Sequence, residues 1–343
     1  MAYLKLTKAK LGVSAKKKDI KCLSIDIGTK YVKCVTGQRI NNKLKIDKTF
    51  KIKLPDDIYE NGHIKNTDEM KSILQKALSD NGVKIKQVIC TIESSYAIKR
   101  EIIVPAVEGE DLSEMVSYEI GQYLPIDINS YVLQYKIARE FEEDNVKKYE
   151  LFVVALAKDI VGTIYNTLVD IGLEPYALDI HSNAVDKLSS EYNLINGADD
   201  KESTIAFIDI GYQNINVIII EKGIYRFNRL IKNGTMDFEI SDSNIDEIKS
   251  IDDIAENTAI LENWISEIDK VFKYYTSRSV DNIIDKIYIY GGISVMKGLD
   301  TYISERLNIP VEKVKSIQDV DLISYDEDTL SDYLNAISAV IRL

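Results

Sequence analysis

The chain has 343 residues, 45% of them hydrophobic, and a net charge of −12. It is too long for one ordinary core and suits about two domains or more. Its acidity argues against the sequence-independent binding to nucleic acid that basic surfaces provide. Cys22, Cys34 and Cys90 lack metal-like spacing, so they read as small buried apolar groups in a reducing compartment. No apolar run approaches the roughly 18 residues that cross a bilayer, and no signal-peptide core opens the chain. A cytoplasmic protein is expected.

Residues 1–19 carry Lys5, Lys8, Lys10, Lys16, Lys17 and Lys18 with no acidic residue before Asp19. They read as a solvated tail, with contact to anionic lipid as the sharper alternative. Strands are predicted at 22–27, 31–36 and 43–54. A helix follows over 67–80, with Thr67 as N-cap and Met70, Ile73, Leu74, Ala77 and Leu78 on one face. Asn81-Gly82 stops it, and residues 88–92 form another buried strand.

Residues 98–104 read as a strand ending at Pro105, and Asp111 to about Leu124 as a helix. Strands at 131–138 and 150–157 precede a helix over 159–171 that Gly172 ends. This β-α-β-β-α run, 98–174, is compact enough to be an inserted subdomain. The first domain then comprises 20–97 and 175–200, and the polar stretch from Asn196 marks the boundary. The second domain spans 201–320, with a smaller lobe at about 226–270. Ile260, Leu261, Trp264, Ile265, Ile268, Val271, Phe272 and Tyr275 share one helical face, which predicts a central helix. A strand at 286–290, a helix at 294–307 and a terminal helix at 330–342 returning to the first domain complete the chain.

One motif occurs twice. Ser24-Ile-Asp26-Ile-Gly28-Thr29-Lys30-Tyr-Val-Lys33 reads as a buried strand, a glycine turn and a returning strand. The turn leaves main-chain N–H groups and two lysines around its contents, with a carboxylate at the strand end, a geometry suited to a phosphate with its metal. At 183 positions further on, Phe207-Ile-Asp209-Ile-Gly211-Tyr-Gln213-Asn214 repeats the pattern, which implies a duplicated fold. Tyr290-Gly291-Gly292-Ile-Ser-Val295 follows a third apolar strand.

The ordered set of two Asp-Ile-Gly turns and a late Gly-Gly resembles the phosphate-1, phosphate-2 and adenosine motifs of the actin-like ATPase superfamily. Arg100-Glu-Ile-Ile-Val-Pro105, Tyr123-Leu-Pro-Ile-Asp127 and Leu173-Glu-Pro-Tyr-Ala-Leu-Asp179 are similar to the type IV pilus assembly PilM family. The resemblance runs from roughly residue 22 onward. It implies an α/β, actin-like ATPase fold of two RNase H-like domains, with the insertion as the 1C-type subdomain shared with the cell-division protein FtsA. It implies ATP and Mg²⁺ between the domains. Asp26 and Asp209 would hold the ion through waters. The N–H groups near Gly28, Thr29 and Lys30 and those of Gly211, Gln213 and Asn214 would cradle phosphates, with Lys33 or Lys30 adding charge. Gly291, Gly292 and Val295 would pass close to the adenosine. Gln213 is the polar candidate for orienting an attacking water, so at most slow ATP hydrolysis is expected.

The resemblance also implies a protein peripheral at the inner face of the cell membrane, whose partner is the short cytoplasmic tail of a PilN-like inner-membrane protein. The tail would lie in a groove between the first domain and the insertion, and nucleotide would bias domain closure and with it partner affinity. Two departures weaken the expected nucleotide contacts. Lys232-Asn233-Gly234-Thr235 stands where the family has Gly-Gly, and Glu256 has no nearby Lys. His63 and His181 lack ligand spacing, so neither is expected to carry chemistry. The rivals are an FtsA-like polymerising protein, whose chains end in an amphipathic membrane helix where this one stops at Arg342-Leu343, and a small-molecule kinase of the same superfamily.

Overall fold

The structure, a computed structural model, describes residues 21–107, 109–123, 127–192, 194–238, 248–323 and 328–341. The lysine-rich tail, Leu124 to Ile126, residues 239–247 and Arg342-Leu343 lie outside them. Among the described residues, no helix is long and apolar enough to cross a membrane.

The chain opens with β1 (Lys21–Ile27), β2 (Tyr31–Ile40) and β3 (Lys43–Lys53), an antiparallel run. Asn41 and Asn42, both at positive φ, make the two-residue turn that matches strand twist between β2 and β3. A small ribbon of β4 (Tyr59–Glu60) and β5 (His63–Ile64) leads to α1 (Thr67–Asp80). The cap is Asn66 rather than Thr67: its side chain accepts from the Glu69 N–H, so Thr67 is the first helical residue. Next come β6 (Gln87–Ile92), β7 (Ile98–Pro105), α2 (Glu110–Tyr123), β8 (Tyr131–Glu143), β9 (Val146–Ala157), α3 (Lys158–Asp170), β10 (Glu174–Ile180) and α4 (His181–Glu191).

A ribbon of β11 (Leu194–Ile195) and β12 (Ala198–Asp199) precedes the second antiparallel run, β13 (Thr204–Ile210), β14 (Ile215–Glu221) and β15 (Ile224–Ile231). Then follow α5 (Thr258–Thr276), β16 (Lys286–Tyr290), α6 (Leu299–Leu307), β17 (Val311–Lys313), β18 (Val320–Leu322), α7 (Thr329–Asp332) and α8 (Leu334–Val340).

The duplication read from the two Asp-Ile-Gly turns is present in the sheets. The first has the order β10-β6-β1-β2-β3-β18 and the second β17-β16-β13-β14-β15. In each, the Asp-bearing strand pairs antiparallel with its returning strand and parallel with a later one. α4 and α8 lie between the two sheets. Their core joins Val35, Ile89, Val185 and Leu188 to Phe207, Ile218, Tyr288 and Ile337. On the outer face of the first sheet, α1 and α3 bury Leu74 and Ile164. On that of the second, α5 buries all but Ile260 of its predicted apolar face, with Trp264 5.0 Å from Phe238 ring to ring.

The β-α-β-β-α run divides its loyalties. β7, β9 and β8 form a separate antiparallel sheet covered by α2 through Leu112, Val116 and Ile120. α3 instead drives Ile160, Ile164 and Leu168 into the core of the first sheet. The insertion also leans on the second half, with Phe152 4.3 Å from Tyr225 and Glu101 3.7 Å from Arg278.

Two predicted helices are interrupted. The 294–307 stretch begins as a 3₁₀ turn, Gly292–Val295, and becomes α-helical only at Leu299. Between them the Lys297 backbone is drawn off, donating to Lys249 O and accepting from Ile251 N. The 330–342 helix breaks at Tyr333, where Lys33 Nζ takes the Asp332 carbonyl at 2.6 Å and removes it from the helical ladder.

Candidate functional site

The carboxyl ends of β1, β6 and β10 lie level, with Ile27 opposite Ile92 and Ile92 opposite Ile180. Those of β13 and β16 face them, with Asp209 opposite Tyr290. In open α/β sheets, ligands bind beyond these ends. The predicted motifs all converge here because each is the turn that leaves one of these strands.

Asp26 and Asp209, both buried, come from different halves. His181 stands between them, its Nε2 2.7 Å from Asp26 Oδ1 and its Nδ1 3.4 Å from Asp209 Oδ2. Thr91 Oγ1 donates to Asp26 Oδ1 at 3.1 Å, as the in-register neighbour on β6. Asn335, on α8, donates its amide to Asp209 Oδ2 at 2.8 Å and lies 3.2 Å from His181 Nδ1. Beside this group Lys33 Nζ reaches Asp332 Oδ1 at 2.8 Å, and Lys51 reaches Asp332 Oδ2 at 3.5 Å.

The charges tune one another. Burial, the largest influence on His181, pushes its pKa down, but the Asp26 charge and the bonds to Asp209 and Asp26 outweigh it and raise the imidazole to about 10. Burial would raise Asp26; His181, the Lys33 charge and the Thr91 bond hold it below the usual carboxylate range. Lys33, though buried, is raised by Asp332, Asp26 and Asp209, and Asp332 is lowered against its own burial by Lys33 and Lys51.

The phosphate turns close on themselves and on each other. Gly28 N–H donates to Tyr31 O and Gly211 N–H to Asn214 O, each at 3.0 Å. Thr29 Oγ1 donates to Gln213 Oε1 at 2.9 Å, joining the two turns. Gln213 therefore spends its side-chain oxygen on Thr29. Lys30 is buried with its ammonium 5.0 Å from the centre of the Tyr212 ring, and Lys33 is committed to Asp332. Deeper in the second half, Asn216 donates to Glu93 Oε2 at 2.9 Å, a further tie between halves.

Gly291 is at φ +92, and a Cβ there would lie 2.2 Å from Asp209 Oδ1, so the late glycine motif is seated against the second aspartate. Its N–H donates to Ser331 O. Gly292 is exposed and Val295 half-buried at the end of the 3₁₀ turn. Gly234, in the departure from the family pattern, packs on the second turn: a Cβ would sit 2.2 Å from Tyr212 O. This backbone contact explains why the position holds glycine without any ligand.

Magnesium does not fit this arrangement. The space between Asp26 and Asp209 is spanned by the His181 ring, and among the described residues no group of three or more His, Cys, Asp or Glu is disposed to hold an ion. The sequence reading missed His181, Asn335, Asp332 and Thr91. One signal was present: Asp179-Ile180-His181 ends an apolar strand where a helix begins, as the aspartates end theirs before a turn.

Two sheets of one repeated order, with acidic turns facing across a shared cleft, define an actin-like ATPase fold. Solved structures share it: a PilM-PilN type IV pilus biogenesis complex at TM-score 0.81 and 17% identity, over 94% of this chain and 98% of that one. The ethanolamine utilization protein EutJ of Carboxydothermus hydrogenoformans is similar at TM-score 0.53 and 12% identity, over 94% and 89%. The sequence pattern of the family described as type IV pilus assembly protein PilM matches residues 24–336, and the chain belongs to that family.

Proposed function

We propose that the chain is a cytoplasmic assembly component of a type IV pilus machine, held at the inner face of the membrane by binding the short cytoplasmic tail of a PilN-like protein. The observation that carries this reading is the family match over residues 24–336, joined to a fold shared along nearly the whole length of the PilM-PilN structure. The proposed seat for the tail is the junction where β6 passes into β7, between the first sheet and the insertion. There Tyr96 is 56% exposed and meets His63 edge-on at 5.3 Å, an aromatic surface of the kind that anchors peptides.

ATP as a bias on closure belongs to this reading only for an opened form, in which Thr29 and Gln213 have parted; the closed form uses none. The test is calorimetry with a synthetic peptide covering the cytoplasmic N-terminus of the PilN-like protein from the same genome. Saturable binding with one peptide per chain is expected, weakened by Tyr96→Ala. Absence of binding by the parent protein rejects the partner.

A further inference from the structure

We infer that His181 is the built-in occupant of the position between Asp26 and Asp209: its side chain joins the two carboxylates and holds the halves of the chain closed without divalent metal or nucleotide. The inference stands on the geometry of the cleft and is independent of the partner reading.

The first support is the bonding. Facing an ionised Asp26 at 2.7 Å, Nε2 is the donor in both the cation and the Nε2–H tautomer. Nδ1 either donates to Asp209, 3.4 Å away, or accepts the second amide hydrogen of Asn335, which is itself bound to Asp209. Both arrangements connect Asp26 to the second half through the ring.

The second support is the position of the ring in the chain. His181 is the first residue of α4, and the positive end of a helix dipole disfavours a cation there. Helix-end chemistry therefore does not account for a histidine at this place. The two facing carboxylates do, one 2.7 Å from Nε2 and the other 3.4 Å from Nδ1.

The third support is charge. Asp26, Asp209 and Asp332 face His181, Lys33 and Lys51, so each carboxylate already has a nitrogen partner. A divalent cation would have to displace the ring from between the two buried carboxylates. The Thr29 to Gln213 bond and the Lys30 ammonium over Tyr212 further cross the space that phosphates would need.

The test uses the full chain and magnesium as the probe. The melting temperature of the parent is expected to be the same in EDTA and in millimolar Mg²⁺, with or without ATP. His181→Ala should melt several degrees lower in EDTA and recover on adding Mg²⁺, with an apparent Kd for the ion at least about tenfold below that of the parent. A parent that Mg²⁺ stabilises as much as it does the variant overturns the inference, as does a variant with the melting temperature of the parent in EDTA. Should His181→Ala fail to fold, His181→Gln takes its place, and the parent offers a second readout. The chain has two histidines, so a His63→Ala variant identifies the His181 ring by NMR. Its Nε2–H proton should be protected from exchange at neutral pH and unmoved by Mg-ATP; rapid exchange, or a shift with Mg-ATP, overturns the inference. Peptide binding measured on the parent and on His181→Ala, which keep His63 beside Tyr96, reports separately on the partner.

Discussion

Thr29 and Gln213, 184 positions apart, are joined by a hydrogen bond of 2.9 Å between the tips of the two repeated turns. The residues that a triphosphate would separate touch directly. Gln213→Ala removes the acceptor from a partly buried bond and should cost about 0.5–1.5 kcal/mol, read as a lower urea midpoint at unchanged m-value. An unchanged midpoint would show that the turns are held by other contacts alone.

Gly291→Ala should be far more damaging than its neighbour. The left-handed φ and the approach of Asp209 Oδ1 to 2.2 Å leave no room for a methyl group, so a loss of about 3 kcal/mol or more is expected from strain and a displaced buried carboxylate. At exposed Gly292 the nearest atom to a Cβ is Asp332 Oδ1 at 3.8 Å, and Gly292→Ala should stay within about 1 kcal/mol of the parent. Equal losses at the two positions would contradict the seating of the motif.

His181 makes stability depend on alkaline pH. Its folded pKa, about 10, lies above the ordinary value of 6.5. Its contribution is therefore fully present below about pH 6.5 and is lost as pH rises toward and through 10. The difference in melting temperature between the parent and His181→Gln should shrink from pH 6.5 to pH 10.5. A difference that grows over that range would place the charge elsewhere. Asp26, lowered below its usual 3.8, gives the opposite dependence in acid, with stability lost as pH falls through its folded value.

Lys33 and Asp332 set the break between α7 and α8, because the same ammonium binds the Asp332 side chain at 2.8 Å and its carbonyl at 2.6 Å. Lys33→Met strands a largely buried carboxylate with only the longer Lys51 contact and should cost about 3–5 kcal/mol. The double variant with Asp332→Asn should recover part of that loss in a double-mutant cycle. Additive losses would show that the two side chains act separately.

Much of the architecture was legible because it depends on local pattern. The α5 stripe from Leu261 to Tyr275, the turn at Asn81-Gly82, the continuous apolar run of β1 and the alternation in β3 follow from periodicity and turn chemistry. Repetition of Asp-Ile-Gly was enough to imply a doubled sheet. Helix continuity was misread at Lys297 and Tyr333, where distant groups, the Lys249 to Ile251 backbone and the Lys33 ammonium, capture atoms that the helix would otherwise use. No window of sequence contains both partners of such a bond.

The cleft divides in the same way. The chain by itself determined that Asp26, Asp209 and Gly291 would leave strand ends, since strand, turn and glycine chemistry act over a few residues; that they face one cleft was implied by the repeat and the family resemblance. What stands between them was decided only by tertiary structure. His181 follows Asp26 by 155 positions and Asn335 follows Asp209 by 126, and only the packing of α4 and α8 between the sheets brings these side chains to the carboxylates. Spacing rules for ligands assume that partners share one turn or one helix face. Here the groups that balance each aspartate arrive from separate elements, so their meeting is a property of the packed core and not of any segment.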